Sequence, residues 1–380
     1  MGMKIEQRTW TRTEGWSRSE GDSGISAQLV LVFGSTCALK ATPALDETRA
    51  DYPGAHLFGC STGGEILGTQ VLDDSVVSTA IEFASTEIQC ASVSVKGHGG
   101  SFQVGVALAR SMPQEGLRHL LVLSDGLRVN GSRLVDGLAR ALPADVTVTG
   151  GLSGDGERFE ETLVVSDGPP ESGTVGAVGF YGEGLKIGFG SLGGWDPFGP
   201  ERRITRSTAN VLYELDGRSA LDLYREYLGE HADGLPATGL LFPLSLRTKE
   251  GETGVVRTII SIDEQENSLT FAGNVPGGAY ARLMKANFDR LVDGSMGAAT
   301  ISRAAIGERP PELAILISCV GRKLVLKQRI EEEVEGVRDV LGDSTPLIGF
   351  YSYGEISPFV PGAPCQLHNQ TMTVTTLSES

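Results

Sequence analysis

Gly59-Cys-Ser-Thr-Gly-Gly64-Glu65, Gly151-Leu-Ser-Gly-Asp-Gly156-Glu157 and Gly349-Phe-Tyr-Ser-Tyr-Gly354-Glu355 are three versions of one stretch, G-x4-G-E. Each follows an apolar run: His56-Leu57-Phe58, Val146-Thr147-Val148 and Pro346-Leu347-Ile348. Further upstream, Leu29 to Phe33, Leu120 to Leu123 and Leu313 to Ile317 are strand-like runs. They end at Gly34-Ser35, Ser124-Asp125 and Ser318-Cys319, and the interval before each G-x4-G-E has room for one helix. The repeated unit is strand, polar end, helix, strand, glycine turn, glutamate, and such recurrence predicts repeated supersecondary units. Glycine at both ends of the turn permits positive φ and close backbone approach to a ligand. The glutamate sets an anion beside free backbone amides, a combination that could grip a zwitterion.

The composition around these repeats is that of a turn-rich α/β protein. The 380 residues have room for about two domains. The 51 glycines punctuate apolar runs and form no low-complexity tract. Lys and Arg total 32 against 48 Asp and Glu, a net charge of −16, which argues against nucleic acid and anionic membranes as partners. No apolar run approaches the ~18 residues of a membrane span. The N-terminus lacks a basic-then-apolar signal pattern. Cys37, Cys60, Cys90, Cys319 and Cys365 form no C-x-x-C pair, and free thiols in a reducing cytoplasm are the simplest account.

Taken in order, residues 1–27 are a polar arm anchored by Trp10 and Trp16. Thr42 and Pro43 suit a helix N-cap and first turn. Val76 to Phe83 and Ile88 to Val95 alternate as a hairpin would. Ser101 caps a helix on Val104, Leu108 and Met112, and a second helix carries Leu134, Leu138 and Leu142 on one face. The stretch Gly193 to Arg203 holds two prolines and three glycines, which argues for a loop over helix or central strand. Ser219 and Asp222 form a capping box for a helix on Leu221, Tyr224 and Leu228. Tyr280, Leu283, Met284, Phe288, Leu291 and Val292 have the spacing of one long helix, and Ile330, Val334, Val337 and Leu341 that of another. Glu252, in a Lys-Glu-Gly-Glu-Thr-Gly hairpin tip, matches the repeat interval by coincidence.

Several longer words resemble a known family. Leu121-Val-Leu-Ser-Asp-Gly, the glycine turn at 150–156, Gly194-Trp-Asp-Pro-Phe-Gly-Pro-Glu-Arg and Asn210-Val-Leu-Tyr-Glu-Leu-Asp-Gly look like the FIST N-terminal domain. Ile317-Ser-Cys-Val-Gly-Arg322, the third G-x4-G-E and Leu367-His-Asn-Gln-Thr-Met372 look like its C-terminal partner. The resemblance covers Leu29 to Leu377. It implies an α/β fold of mixed sheets with flanking helices, in two intimately packed halves. The division expected is 1–27 as an arm, 28–218 as the N-terminal and 219–380 as the C-terminal FIST domain. It further implies a sensor of small ligands such as amino acids. Some stand-alone members are described as haem-binding nitric-oxide sensors acting on histidine kinases. This chain carries no kinase, cyclase or chemoreceptor segment, so any output would pass to a separate protein.

The candidate ligand-binding residues are Gly64, Glu65, Ser124, Asp125, Gly156, Glu157, Cys319, Gly321, Arg322, Gly354 and Glu355, all at strand ends, where open α/β sheets bind ligands. A ligand ammonium would meet Glu65 or Glu355 and its carboxylate Arg322, whose fork suits it. The alternative for each glycine turn is a purely structural strand end. Gly59-Cys-Ser61-Thr-Gly63 has the G-x-S-x-G spelling of a nucleophile elbow, but strand, not helix, follows it and the third copy has Tyr351 in place of Ser61. Cys319, followed by Gly321, Arg322 and Lys323, would have its thiol acidified by nearby cations. A rival reading is therefore an enzyme with Cys319 as nucleophile and His368 as base, and the bland one an inert buried cysteine. No histidine shows metal-ligand spacing with enough partners for zinc. Haem needs one axial histidine, and His368, inside a family word, is the candidate.

Overall fold

The computed structural model of the chain describes residues 2–22, 24–40, 43–248, 254–307, 309–359 and 362–379. The expected cap at Thr42 and the hairpin tip at Glu252 lie outside the described residues. Strand β1 (Lys4–Thr11) leads into β2 (Leu29–Gly34), helices α1 (Thr36–Lys40) and α2 (Ala44–Asp51), β3 (His56–Ser61), β4 (Glu65–Leu67) and β5 (Val76–Glu82). The second unit is β6 (Glu87–Ser94), α3 (Ser101–Ser111), β7 (Leu117–Ser124), α4 (Gly131–Ala141), β8 (Thr147–Leu152), β9 (Val164–Ser166) and β10 (Thr174–Tyr181). The third opens with β11 (Leu185–Leu192). An insertion follows: β12 (Trp195–Thr208), β13 (Val211–Leu215), α5 (Ala220–Leu228), β14 (Leu244–Arg247), β15 (Val255–Arg257), β16 (Tyr280–Ala286) and α6 (Phe288–Ile306). The unit then resumes with β17 (Leu313–Cys319), α7 (Val320–Leu326), α8 (Ile330–Leu341), β18 (Leu347–Ser352), β19 (Gly354–Pro358), β20 (Cys365–His368) and β21 (Met372–Glu379).

Three mixed sheets share one plan. In sheet one, β9 pairs antiparallel with β3, β3 runs parallel to β2, and β5 and β1 complete the order antiparallel. Sheet two repeats this as β19, β8, β7, β10, β6. Sheet three repeats it as β4, β18, β17, β21, β11. The strand after each glycine turn therefore leaves its own unit: β4 joins the third unit's sheet, β19 the second's and β9 the first's. The exchange is cyclic. Alternate side chains of all three sheets meet in one core, where Leu31, Phe33 and Phe58 pack with Leu121, Leu123, Val178, Ile317 and Phe350. Phe33 and Phe350 rings lie 4.7 Å apart. Helices α3 and α4 pack together outside sheet two, and α6 and α8 outside sheet three. A fourth sheet, built from β12 to β16 with three further short strands, covers α5.

Three local expectations are corrected. β5 and β6 are no hairpin, because each pairs inside a different sheet. The stretch from Gly193 enters β12, whose Pro197, Gly199 and Pro200 are accommodated by a register shift between Phe198 and Arg202. Tyr280 to Ala286 is a strand, and the helix starts only where the Asn287 side chain accepts from the Arg290 amide at 3.3 Å.

The repeat itself is one residue out of register in the second copy. An added Cβ at Gly59, Gly150 or Gly349 would lie 1.7, 1.9 or 1.9 Å from the carbonyl oxygen of Val32, Val122 or Leu316 respectively. These are the equivalent glycines, so Gly150, not Gly151, opens the second turn. Gly156 then stands where the other copies have Glu65 and Glu355, and Glu157 is exposed beyond it.

Candidate functional site

The glycine turns close on one another. The Gly154 amide donates to Ser61 O at 2.9 Å, Gly63 to Tyr351 O at 2.8 Å and Tyr353 to Leu152 O at 3.1 Å. This knot is buried, and so are most residues expected to bind a ligand. Glu65 accepts from Thr62 Oγ1 (2.5 Å) and from the Ser75 amide and hydroxyl (3.3 and 2.7 Å). Glu355 repeats the arrangement with Ser352 Oγ (2.6 Å) and the Thr371 amide and hydroxyl (3.1 and 2.9 Å). Burial outweighs these hydrogen bonds and pushes Glu65 up to about 7 and Glu355 up to about 8. Asp125 accepts the amides of Leu127, Arg128 and Gly173 at 2.7–2.8 Å and pins its loop beside the buried Ser124. Gly64 adopts φ +144° and Gly156 φ +77°. Gly354, expected to share that conformation, does not, although a Cβ there would crowd Asn369, Leu152 and Leu367 at 3.1 Å.

Arg322 spends its fork inside the protein. Nε and Nη2 hold Glu333 at 2.9 and 2.7 Å, and Nη2 also donates to Leu291 O at 2.6 Å. Both side chains are fully buried, and Ser318 and Tyr351 complete the shell of Glu333 at 3.1 and 2.8 Å. A ligand carboxylate would have to displace Glu333 to reach this arginine.

Cys319 is buried, and burial together with the Glu355 carboxylate pushes its thiol up, against the acidification expected from Arg322. Gly321 beside it is buried against the Gln370 side chain. His368 Nε2 is bonded to Ser357 O at 2.7 Å, and burial brings its pKa down to about 4. Among the described residues no hydrogen bond joins Cys319 to His368, so the nucleophile–base pair is not assembled. A haem axial ligand must turn a ring nitrogen into a porphyrin-sized slot. His368 instead packs edge-on against Phe359, with ring centroids 4.1 Å apart, and the remaining Nδ1 is enclosed without a partner. The residues at His368 therefore do not fit haem.

An open cleft lies elsewhere, between α4 on one side and β14, β15 and β20 on the other. It encloses about 250 Å³ and is lined by Ser132, Val135, Asp136, Arg257, Asn274 and Gln366, among others. At its floor Arg257 is 8% exposed. Its Nε donates to Asn274 O at 3.2 Å, Nη1 to Val256 O and Leu367 O at 3.1 Å each, and Nη2 to Ser132 Oγ at 3.4 Å. Every acceptor is neutral. Among the described residues no carboxylate comes within ion-pair distance of this guanidinium, and burial alone pulls its pKa down to about 10. A buried cation without a counter-ion in a cleft is a candidate anion-binding group. Ser132 Oγ also accepts from the Asn274 amide at 3.1 Å, which leaves its proton free for a ligand. Asp136 stands exposed at the rim, paired with Arg133 at 3.1 Å. A second, apolar cavity of about 230 Å³ adjoins, sharing Val135 and Cys365 and reaching Leu138, Leu142 and Phe189. The sequence did hold one signal for this site: a single arginine inside the apolar run Val255 to Ile260.

The class of protein is a mixed-sheet α/β one, with a cleft as its candidate site. The chain belongs to the FIST family: the FIST N domain matches residues 28–218 and the FIST C domain residues 220–358. FIST domains are sensor domains of signal transduction. The cleft draws on both matched segments. An uncharacterized protein of Methanocaldococcus jannaschii is 24% identical over 342 residues, covering 83% of this chain and 63% of that protein. The chain thus spans somewhat less than two thirds of that relative's length. Among the described residues no helix is long and apolar enough to cross a membrane.

Proposed function

We propose that the protein is a cytoplasmic sensor whose cleft binds a small, amino-acid-like carboxylate. The observation that carries this reading is Arg257, a nearly buried guanidinium with only neutral acceptors. A ligand carboxylate would supply the missing charge, with Ser132 Oγ as a further donor. Its ammonium would meet Asp136 at the rim, and an apolar side chain would extend past Val135 towards Leu138 and Phe189. Hydrogen bonds between charged groups of this kind contribute ~1.5–3 kcal/mol each. Filling a cleft lined by both halves favours one mutual arrangement of them, which a partner protein such as a histidine kinase could read.

The test is a thermal-shift and calorimetric panel of apolar amino acids and their decarboxylated amines. An amino acid raises the melting temperature with its concentration, and the matching amine does not. Arg257→Gln lowers affinity by ~10-fold or more, and Asp136→Asn, an exposed change, lowers it while leaving stability unaltered. A panel without any shift, or equal binding by Arg257→Gln, overturns the proposal. For the output, a candidate kinase's autophosphorylation should respond to the protein differently with the ligand present than without it. Indifference of the kinase to the liganded protein removes that part alone.

A further inference from the structure

The fold brings together three side chains that no sequence motif connects. His56 opens β3, Cys90 lies in the middle of β6, and Asp167 follows the last residue of β9. Their donor atoms all lie within 4.8 Å of one another. His56 Nδ1 is 2.7 Å from Asp167 Oδ2. The other carboxylate oxygen accepts the Leu57 amide at 2.9 Å, and the Asp167 amide donates back to Leu57 O at 2.9 Å. The carboxylate is thus held in place from two sides, with Asp167 in a left-handed conformation, φ +57°. Cys90 is partly buried against the core shared by the sheets, whereas the His56 and Asp167 side chains are 38% and 47% exposed. The group is walled on one side and open to water on the other.

We propose that His56, Cys90 and Asp167 form a binding site for a divalent transition-metal ion, with zinc the best match. One thiolate, one imidazole and one carboxylate are the three ligand types zinc takes, and a site with three protein ligands leaves a fourth position for water. The soft sulfur excludes magnesium and calcium as preferred occupants, since these take oxygen ligands. Binding replaces the Cys90 thiol proton by the metal and releases that proton to solvent, with no change of oxidation state. The ion would cross-link β3 and the end of β9 in sheet one to β6 in sheet two. It would fasten the strand that the second unit contributes to the first. The site is separate from the Arg257 cleft and does not depend on the reading of that cleft.

The experiment is titration of the full chain, freed of metal by chelator, with cobalt(II) as a spectroscopic stand-in for zinc. A sulfur-to-cobalt charge-transfer band should appear in the near ultraviolet, together with visible bands of a low-coordinate ion, and zinc should abolish both. Cys90→Ser should remove the charge-transfer band, Cys37→Ser should retain it, and the surface change His56→Asn should weaken cobalt binding by ~10-fold or more. Circular dichroism confirms that each variant is folded, and His56→Asn keeps the test open should Cys90→Ser not fold. Absence of a charge-transfer band, its persistence in Cys90→Ser, its loss in Cys37→Ser, or unchanged cobalt affinity in His56→Asn would each overturn the assignment.

Discussion

Glu355 is enclosed on all sides and its carboxyl keeps its proton to about pH 8 in the folded protein. An unfolded glutamate releases it near ~4.3. The folded state therefore binds more protons between these values, so the stability this group contributes is complete below the unfolded pKa. It is lost progressively as pH rises and is gone above about 8. Glu65 acts in the same direction, over a window ending near 7. Glu355→Gln cannot ionise and keeps an oxygen for Thr371. Urea midpoints of this variant, relative to the parent, should rise from pH 5 to about pH 8 and level off above it. A constant difference across that range would show that the carboxyl is not held protonated. Lone residues were hard to rank from the sequence. Glu65, Arg322, Cys319 and Glu355 are ligand candidates in the sequence because they stand at strand ends, yet each strand end here is capped by a neighbouring unit. The cluster His56, Cys90 and Asp167 had no signature at all, since only the pairing of sheets one and two brings it together.

At the scale of elements, the glycines opposite the first strand of each unit set how closely its two parallel strands approach. Gly349→Ala would drive a methyl group against the backbone carbonyl of Leu316, 1.9 Å away, which neither strand can relieve without shifting. Gly354→Ala meets only side-chain atoms, at 3.1 Å, and its φ lies outside the left-handed range. Denaturant unfolding should find Gly349→Ala the more destabilising by ~1–3 kcal/mol; equal costs would mean the strands yield more easily than the geometry implies. Elements whose apolar pattern had one meaning were legible. Leu313 to Cys319 is fully buried and reads as such, and Ser219 caps α5 through the Asp222 amide at 3.2 Å. Tyr280 to Val292 was not, because Leu283, Met284, Phe288 and Leu291 satisfy helical spacing across a strand and a helix that meet at Asn287. The second copy of the repeat was displaced by one because Gly150 and Gly151 are adjacent, and only the contact with Val122 O distinguishes them.

Across the whole molecule, the three-unit plan was visible as a recurrence, but not the exchange of strands, because pairing partners leave no mark on either sequence. That exchange decides what can fold alone. Residues 28–218 contain β4 and β11 but not β18 and β21, beside which those strands lie, nor the central β17, and they lack β19, which borders β8. Expressed alone, this segment should show the broad amide spectrum and dye binding of an incompletely packed chain, and co-expression with the remainder should restore a native complex. A well-dispersed spectrum of the isolated segment would contradict this. The same cyclic sharing bears on how the protein is made. β4 emerges from the ribosome long before its partner β18, and the stretch from Leu67 to Leu313 takes on the order of tens of seconds to translate at ~5–20 residues per second. β11 is complete only after Leu192, and until Leu313 is made sheet three has none of its central strands. The nascent chain must keep the apolar faces of β4 and β11 unpaired until the residues from Leu313 onward arrive. Synthesis, more than the finished fold, is then the stage at which this architecture leaves strand edges open to wrong partners.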